Sequence, residues 1–300
     1  MIGRFFEYVE IKTKITSLFT FFMTLAFIFY KEQQINWQRT IVFFFSMLLF
    51  DLTTTAINNY IDTKSNGQKL QFKRRTALFI LYVLLAVSTA LGLYLAYVTD
   101  IVILLAGGLC FLCGVLYTYG PVPVSRQPLG EILSGIFYGL FIPFILLYIN
   151  MPAGSFLTLS LGWDRASVSF MVWPVITLLL FSITPVCTTA NIMLANNICD
   201  VEKDIAVKRY TLPYYLGKKK ALYLFAGIYY LTYAATALLV LLGILAPVCL
   251  LSLLTIFIVQ KNIGIFMKRQ VKAETFIVSI INFILIMGAN TLLIFISVIL

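Results

Sequence analysis

The chain has 300 residues, of which 61% are hydrophobic and only 11% charged, whereas soluble domains are about half apolar and a quarter charged. Its apolar residues fall in long, nearly charge-free runs of about 20, the length a helix needs to cross about 30 Å of hydrocarbon, which excludes a water-soluble fold. A β-barrel is excluded too, because its strands alternate over only about 10 residues. The sequence contains no histidine, so Ser-His and Cys-His triads, imidazole haem ligation and zincin motifs are ruled out.

In chain order, the apolar runs predict an all-α polytopic membrane protein with nine transmembrane helices, at about 15–30, 40–61, 76–98, 101–119, 131–149, 168–195, 220–242, 244–260 and 275–299. No small-x-small cleavage site follows the first run, so the first helix is expected to be retained. The five cysteines, Cys110, Cys113, Cys187, Cys199 and Cys249, lie in or beside apolar runs. The single C-x-x-C has no second pair to complete a zinc site, and all five read as packing residues.

The net charge of +10 is explained by topology. With a cytoplasmic N-terminus, 19 of the 22 basic residues fall on inner segments, and only Lys31, Arg39 and Arg165 fall outside. The positive-inside rule then places the C-terminus outside, in a cell membrane. Anionic membrane lipid answers the charge, and no nucleic-acid partner is implied.

Two polar segments interrupt this pattern. Asn58-Asn59-Tyr60-Ile61-Asp62-Thr63-Lys64-Ser65-Asn66, after the second span, aligns without gaps on Asn196-Asn197-Ile198-Cys199-Asp200-Val201-Glu202-Lys203-Asp204, after the sixth, at an offset of 138 residues. Internal repetition of this kind points to two related halves, about 1–150 and 151–300, within a single domain. Asn58 and Asp62 are four apart, as are Asn196 and Asp200, then Asp200 and Asp204, so each set shares a helix face. Hard oxygen ligands in such columns suit Mg²⁺ held jointly with a substrate's phosphates. Lys64, Lys73, Arg74, Arg75, Lys203, Lys208 and Arg209 stand nearby as cations for a diphosphate. The candidate metal ligands are therefore Asn58, Asp62, Asn196, Asp200 and Asp204, with the three aspartates the expected catalytic groups. Asp51, on the face shared by Thr55, Asn58 and Asp62, is either a functional acid or an interhelical hydrogen-bonding group.

These stretches resemble the UbiA superfamily of intramembrane aromatic prenyltransferases, from the second span through the loop after the sixth. Three carry the likeness: Asn58 to Asp62; Tyr117-Thr118-Tyr119-Gly120-Pro121 with Leu129-Gly130-Glu131 and Phe137-Tyr138-Gly139; and Ala195 to Asp204 with Thr211-Leu212. Within the superfamily they are most similar to the dihydroxynaphthoate polyprenyltransferase branch. The resemblance implies nine helices around a central cavity, with two Asp-rich motifs binding Mg²⁺ and an isoprenyl diphosphate. It also implies transfer of the polyprenyl group to an aromatic acceptor, dihydroxynaphthoate, with decarboxylation. On that basis Asn58, Asn59, Asn66, Lys73, Arg74, Tyr117, Arg126, Asn196, Asn197, Lys203, Lys208 and Arg209 are expected to bind substrate.

The chain departs from many relatives in having Asn59 and Asn66 where they have Asp, and Pro121 where a Y-x-x-x-K motif would place lysine. The second departure favours the naphthoate branch, with Arg126 as a replacement cation. The alternatives are a relative with another aromatic acceptor, such as hydroxybenzoate, homogentisate or haem, a non-catalytic homologue, or a secondary transporter built on the same repeat logic.

Overall fold

The computed structural model describes residues 2–64, 69–120, 123–152 and 154–300. Among them, eight helices are long and apolar enough to cross a membrane. A short N-terminal helix, α1 (Ile2–Tyr8), precedes α2 (Ile11–Tyr30), α3 (Trp37–Asp62), α4 (Arg74–Tyr97), α5 (Ile101–Leu116) and α6 (Gly130–Asn150). A hairpin of β1 (Leu157–Leu161) and β2 (Ala166–Phe170) leads into α7 (Val172–Ala206) and the short α8 (Leu212–Leu216). The chain ends with α9 (Lys218–Leu241), α10 (Pro247–Lys268) and α11 (Ile277–Ile296). Apolar α5 has 16 residues, about 24 Å of helix at 1.5 Å per residue. Counted with the eight long helices, it completes the expected order of nine.

Several expected limits need correction. The sixth span was expected at 168–195, yet α7 begins at Val172 and continues to Ala206. The second polar segment therefore lies inside a helix and not in a loop. Residues 168–170 belong to the antiparallel hairpin, in register Leu157↔Phe170 and Leu161↔Ala166. Leu157-Thr158-Leu159-Ser160-Leu161 alternates with period two, the signature of a strand. The fourth expected span, α5, stops at Leu116, short of the expected 119, and α10 runs to Lys268, well past 260.

Large apolar side chains such as Phe79, Leu105 and Phe257 point outward and are more than half exposed, as expected where the surrounding solvent is lipid tail. The interior is apolar as well, with small clusters of paired polar groups. Helix α3 packs along α4, α7 packs along both α6 and α9, and α11 lies against α2, bringing the first and last membrane helices together.

Two irregularities fit each other. Helix α6 contains a π-helical turn at Phe137–Phe141, and α7 carries Pro185 in its interior, where one backbone hydrogen bond is lost. Gly139 of the π turn lies against this point, so that an added Cβ would stand 2.2 Å from the Val186 nitrogen. Only glycine permits that approach. Gly139→Ala is therefore expected to destabilise the protein by about 1–3 kcal/mol, while Gly227→Ala in α9, where an added Cβ meets nothing within 4 Å, leaves stability equal or raised. Thermal unfolding of both variants in detergent checks this, and equal stability of the two would contradict it.

Candidate active site

Asn58, Asn59 and Asp62 occupy the last turns of α3, but they do not share one environment. The Asn58 side-chain oxygen accepts a hydrogen bond from the Thr118 hydroxyl, tying the end of α3 to the segment after α5. Asn59 turns away: its amide donates to the Tyr8 carbonyl at 2.8 Å and to Glu10 Oε1 at 3.3 Å. The N-terminal segment thus wraps this end of α3, and buried Tyr8 donates to the Ala77 carbonyl of α4 at 3.2 Å. Asp62 is the exposed last residue of α3, and Arg209 and Arg126 are among the groups that act on its charge.

The second segment lies on the last turns of α7. Half-buried Asn196 precedes Asn197, which is buried and donates to Glu131 Oε1 of α6 at 2.8 Å. Asp200 contacts the Lys272 ammonium and stands 3.9 Å from that of Lys203. Asp204 is 7% exposed, with Oδ1 3.8 Å from Arg209 Nε.

The turn that ends α7 accounts for the last pairing. Lys208 takes φ +57, its N–H bonds to the Ile205 carbonyl, and the Arg209 N–H bonds to the Asp204 carbonyl at 2.8 Å. This is a Schellman termination, with Lys208 in the left-handed position usually given to glycine. It folds Arg209 back over Asp204, where its charge also reaches Glu131 and Asp62. The adjoining Tyr210 N–H bonds to the Arg126 carbonyl at 3.2 Å, joining the loops that follow α5 and α7.

The sequence-predicted residues therefore divide. Arg209 pairs with Asp204 and, with Arg126, acts on the charge of Asp62; Asp200 is one helical turn from Asp204 and Asn58 one turn from Asp62. Arg74 is engaged locally, donating to the Tyr60 carbonyl at 3.0 Å with its guanidinium over the Tyr60 ring. Lys73 is the exposed residue preceding α4, and Lys203 is 80% exposed. Asn66 and Pro121 lie outside the described residues.

Sequence reasoning did not assign Glu131 or Lys272 to the site. Glu131 was visible in the Leu129-Gly130-Glu131 stretch, but Lys272 carried no signal beyond its charge.

The donor set fits Mg²⁺. Asp204 Oδ2, Glu131 Oε2 and Asn197 Oδ1 are buried without a hydrogen-bond partner, and a buried oxygen left unpaired is unfavourable. All are hard oxygens of the kind Mg²⁺ takes. Among the described residues no three acidic side chains form a cluster that would hold an ion alone.

From the Asn58 end of this site a cavity of about 490 Å³ runs between α3, α4, α5 and α6. Its walls are mostly apolar, from Tyr117 near the site to Phe43, Leu95 and Ile103. Tyr117 donates weakly to the Met193 sulfur at 3.7 Å. Cys110 and Cys113, expected only to pack, also line this space. On the same wall lies Asp51, whose expected alternatives included interhelical bonding. It bonds across to Lys14 Nζ at 2.8 Å, to the Ser17 hydroxyl at 2.6 Å and to the Tyr138 hydroxyl at 2.8 Å. Lys14, counted from sequence among the inner topological charges, is 2% exposed and belongs to this buried pair.

The sequence profile of the UbiA prenyltransferase family matches residues 17–283. A 1,4-dihydroxy-2-naphthoate octaprenyltransferase from Bacillus subtilis (strain 168) is 26% identical over 215 residues, which cover 68% of this chain and 63% of that protein's length. Among solved structures, a UbiA homologue from Aeropyrum pernix K1 superposes with a TM-score of 0.66 at 17% identity, covering 93% of this chain and 97% of the other. A UbiA homologue from Archaeoglobus fulgidus, bound to GPP and Mg²⁺, does so with a TM-score of 0.60 at 14% identity, covering 99% of this chain and all (100%) of the other.

Proposed function

We propose, from the premise that the chain belongs to the UbiA prenyltransferase family, that this multi-pass membrane protein transfers a polyprenyl group from a polyprenyl diphosphate to 1,4-dihydroxy-2-naphthoate. The product, after loss of CO₂, is a demethylmenaquinol, an intermediate of menaquinone biosynthesis. One observation carries the reading: Arg209, paired with Asp204 at the end of α7, also acts on the charge of Asp62 at the end of α3, beside the polar end of an apolar cavity. A diphosphate with a hydrocarbon tail matches both parts. The naphthoate acceptor draws its support from the 26% identical relative.

Asp62, Asp200 and Asp204, with Asn58 and Asn196 and the buried, unpaired oxygens of Glu131 and Asn197, are the residues that would hold Mg²⁺, which when bound neutralises charge on the departing diphosphate. Arg209, Arg126 and Lys272 attract the diphosphate from the protein side, joined by Lys73, Arg74, Lys203 and Lys208 on approach. As the allylic C–O bond breaks, its electron pair goes to the diphosphate oxygen, and cations already in place stabilise that charge without reorganising. The apolar wall keeps water from the allylic carbon, so the ring is the nucleophile. A ring carbon bearing carboxylate forms the new C–C bond. CO₂ then leaves, and the pair of its bond returns to the ring, with no net proton transfer.

The order of helices supports two related halves at about 1–150 and 151–300, because α3 packs along α4 as α7 packs along α9. The distribution of basic residues supports a cell-membrane location with a cytoplasmic N-terminus and an external C-terminus. A cysteine at exposed Lys69 is then expected to react with impermeant label only from the cytoplasmic side; labelling from outside alone would reverse the topology.

The activity itself is tested by mass spectrometry of membranes supplied with 1,4-dihydroxy-2-naphthoate and prenyl diphosphates. Prenylated, decarboxylated product is expected, and Asp200→Ala should lower turnover about 100- to 1000-fold. Prenylation of hydroxybenzoate in place of the naphthoate would replace the acceptor assignment. An inserted, folded Asp200→Ala retaining more than about a third of wild-type turnover would remove Asp200 from the site.

A further inference from the structure

The wall of the cavity holds a polar device that diphosphate chemistry does not use. Tyr138 lies in the π-helical turn Phe137–Phe141, an irregularity found often at functional sites. Packing of Gly139 on the Pro185–Val186 backbone accompanies that turn. Here the Tyr138 hydroxyl donates to Asp51 Oδ1 at 2.8 Å while the side chain lines the cavity.

Asp51 is held from every side. Lys14 Nζ donates to Oδ1 at 2.8 Å and to the Asp51 backbone carbonyl at 2.9 Å, the Ser17 hydroxyl donates to Oδ2 at 2.6 Å, and Lys14 also contacts the Thr55 hydroxyl. A buried ion pair is a weak source of stability, because desolvating two charges offsets most of their attraction. Packing alone therefore gives a poor account of such a pair on the wall of an apolar cavity. What the pair does is fix the Tyr138 hydroxyl hydrogen toward Asp51. The phenolic oxygen then retains acceptor capacity, and the Thr54 hydroxyl is committed to the Asp51 backbone carbonyl, to which it donates at 3.0 Å.

The surroundings select the ligand. Phe50 stacks on Phe111 with centroids 5.6 Å apart, and Phe137 on Phe141 at 5.0 Å. All four line the same cavity. An isoprenoid tail has no group to answer Tyr138, whereas a flat ring carrying a hydroxyl answers both the aromatic walls and the phenol. Along α3, Asp51 is seven residues from Asn58, about 10 Å of helix, which puts such a ring below the diphosphate end.

We propose that Tyr138 is an acceptor-binding residue: its phenolic oxygen accepts a hydrogen bond from a ring hydroxyl of the aromatic substrate and so sets which ring carbon faces the allylic carbon. Asp51 and Lys14 act through it and are positioning residues. This rests on the reading that the acceptor is a hydroxylated aromatic.

The test is a titration of purified wild type and Tyr138→Phe in nanodiscs with 1,4-dihydroxy-2-naphthoate, with 1-hydroxy-2-naphthoate and 4-hydroxy-2-naphthoate, and separately with a non-hydrolysable prenyl diphosphate analogue. Wild type should bind one mono-hydroxy analogue about 3- to 10-fold more weakly than the parent, the loss expected for one hydrogen bond. Tyr138→Phe should bind parent and that analogue alike, since each change removes the same bond. Its affinity for the diphosphate analogue should stay within about twofold of wild type, which also reports that it is folded. Asp51→Asn, which loosens the anchor and keeps the phenol, should lose part of the same discrimination. Retained discrimination against both analogues in Tyr138→Phe, or a loss confined to the diphosphate analogue, overturns the assignment. If wild type binds none of the naphthoates but prenylates another hydroxy-aromatic, the acceptor reading under Proposed function is wrong. The Tyr138 assignment is then decided by the same comparison on that ring with and without its hydroxyl.

Discussion

Two helices that end in carboxylates cannot bring those ends together at a membrane surface unless positive charge lies between them. Arg209 meets that constraint. From the turn after α7 it pairs with Asp204 of that helix and acts on Asp62, which sits 147 residues before the arginine, on α3. Like charges drawn close without a cation repel, so the arginine and, in the proposed reaction, Mg²⁺ share one task. The Schellman turn at Lys208 makes it possible by reversing the chain immediately after α7. Lys272 serves Asp200 in the same way from the segment between α10 and α11.

Below this charged layer, the protein separates chemistry by polarity. The motif-bearing end of the bundle is braced by the N-terminal segment, whose Tyr8 and Glu10 hold Asn59 and thereby the last turn of α3. The cavity beneath has mostly apolar walls, broken by Ser17, Asp51 and Tyr138, with Lys14 paired to Asp51. In a low-dielectric wall, a polar group is favourable only when paired, and every oxygen of the Asp51 carboxylate is paired. The result is one oriented phenol in a place where, in the proposed reaction, isoprenoid and ring meet.

Much of the architecture was legible because membrane helices announce themselves by length and continuity of apolar sequence. The two Asn-Asn-x-x-Asp segments were legible because side chains four apart share a helix face, and that spacing holds in α3 and α7. The hairpin at 157–170 was missed because its short alternation abuts the long apolar run of α7. The end of α7 was placed too early because Asn196 and Asn197 resemble loop residues, although the carboxylates beyond them continue the helix. Charge counting assigned Lys14 to topology, since nothing local reveals a partner 37 residues away. Asn59 and Asn197 show the same limit: spacing gives the face of a helix, while Tyr8 and Glu131, distant in sequence, decide where each amide points.

The central claim is that both motifs act on one metal-bound diphosphate. Its most direct test is the affinity of a non-hydrolysable prenyl diphosphate analogue for wild type, Asp62→Ala, Asp200→Ala and the double variant, measured in nanodiscs first with EDTA and then with Mg²⁺ restored. Binding should require Mg²⁺, each single substitution should abolish the metal-dependent part, and the double variant should be no worse than either, because groups serving one complex are non-additive. Equal affinity with EDTA, or sensitivity to only one of the two substitutions, would contradict the account and leave the basic loops alone to hold the diphosphate.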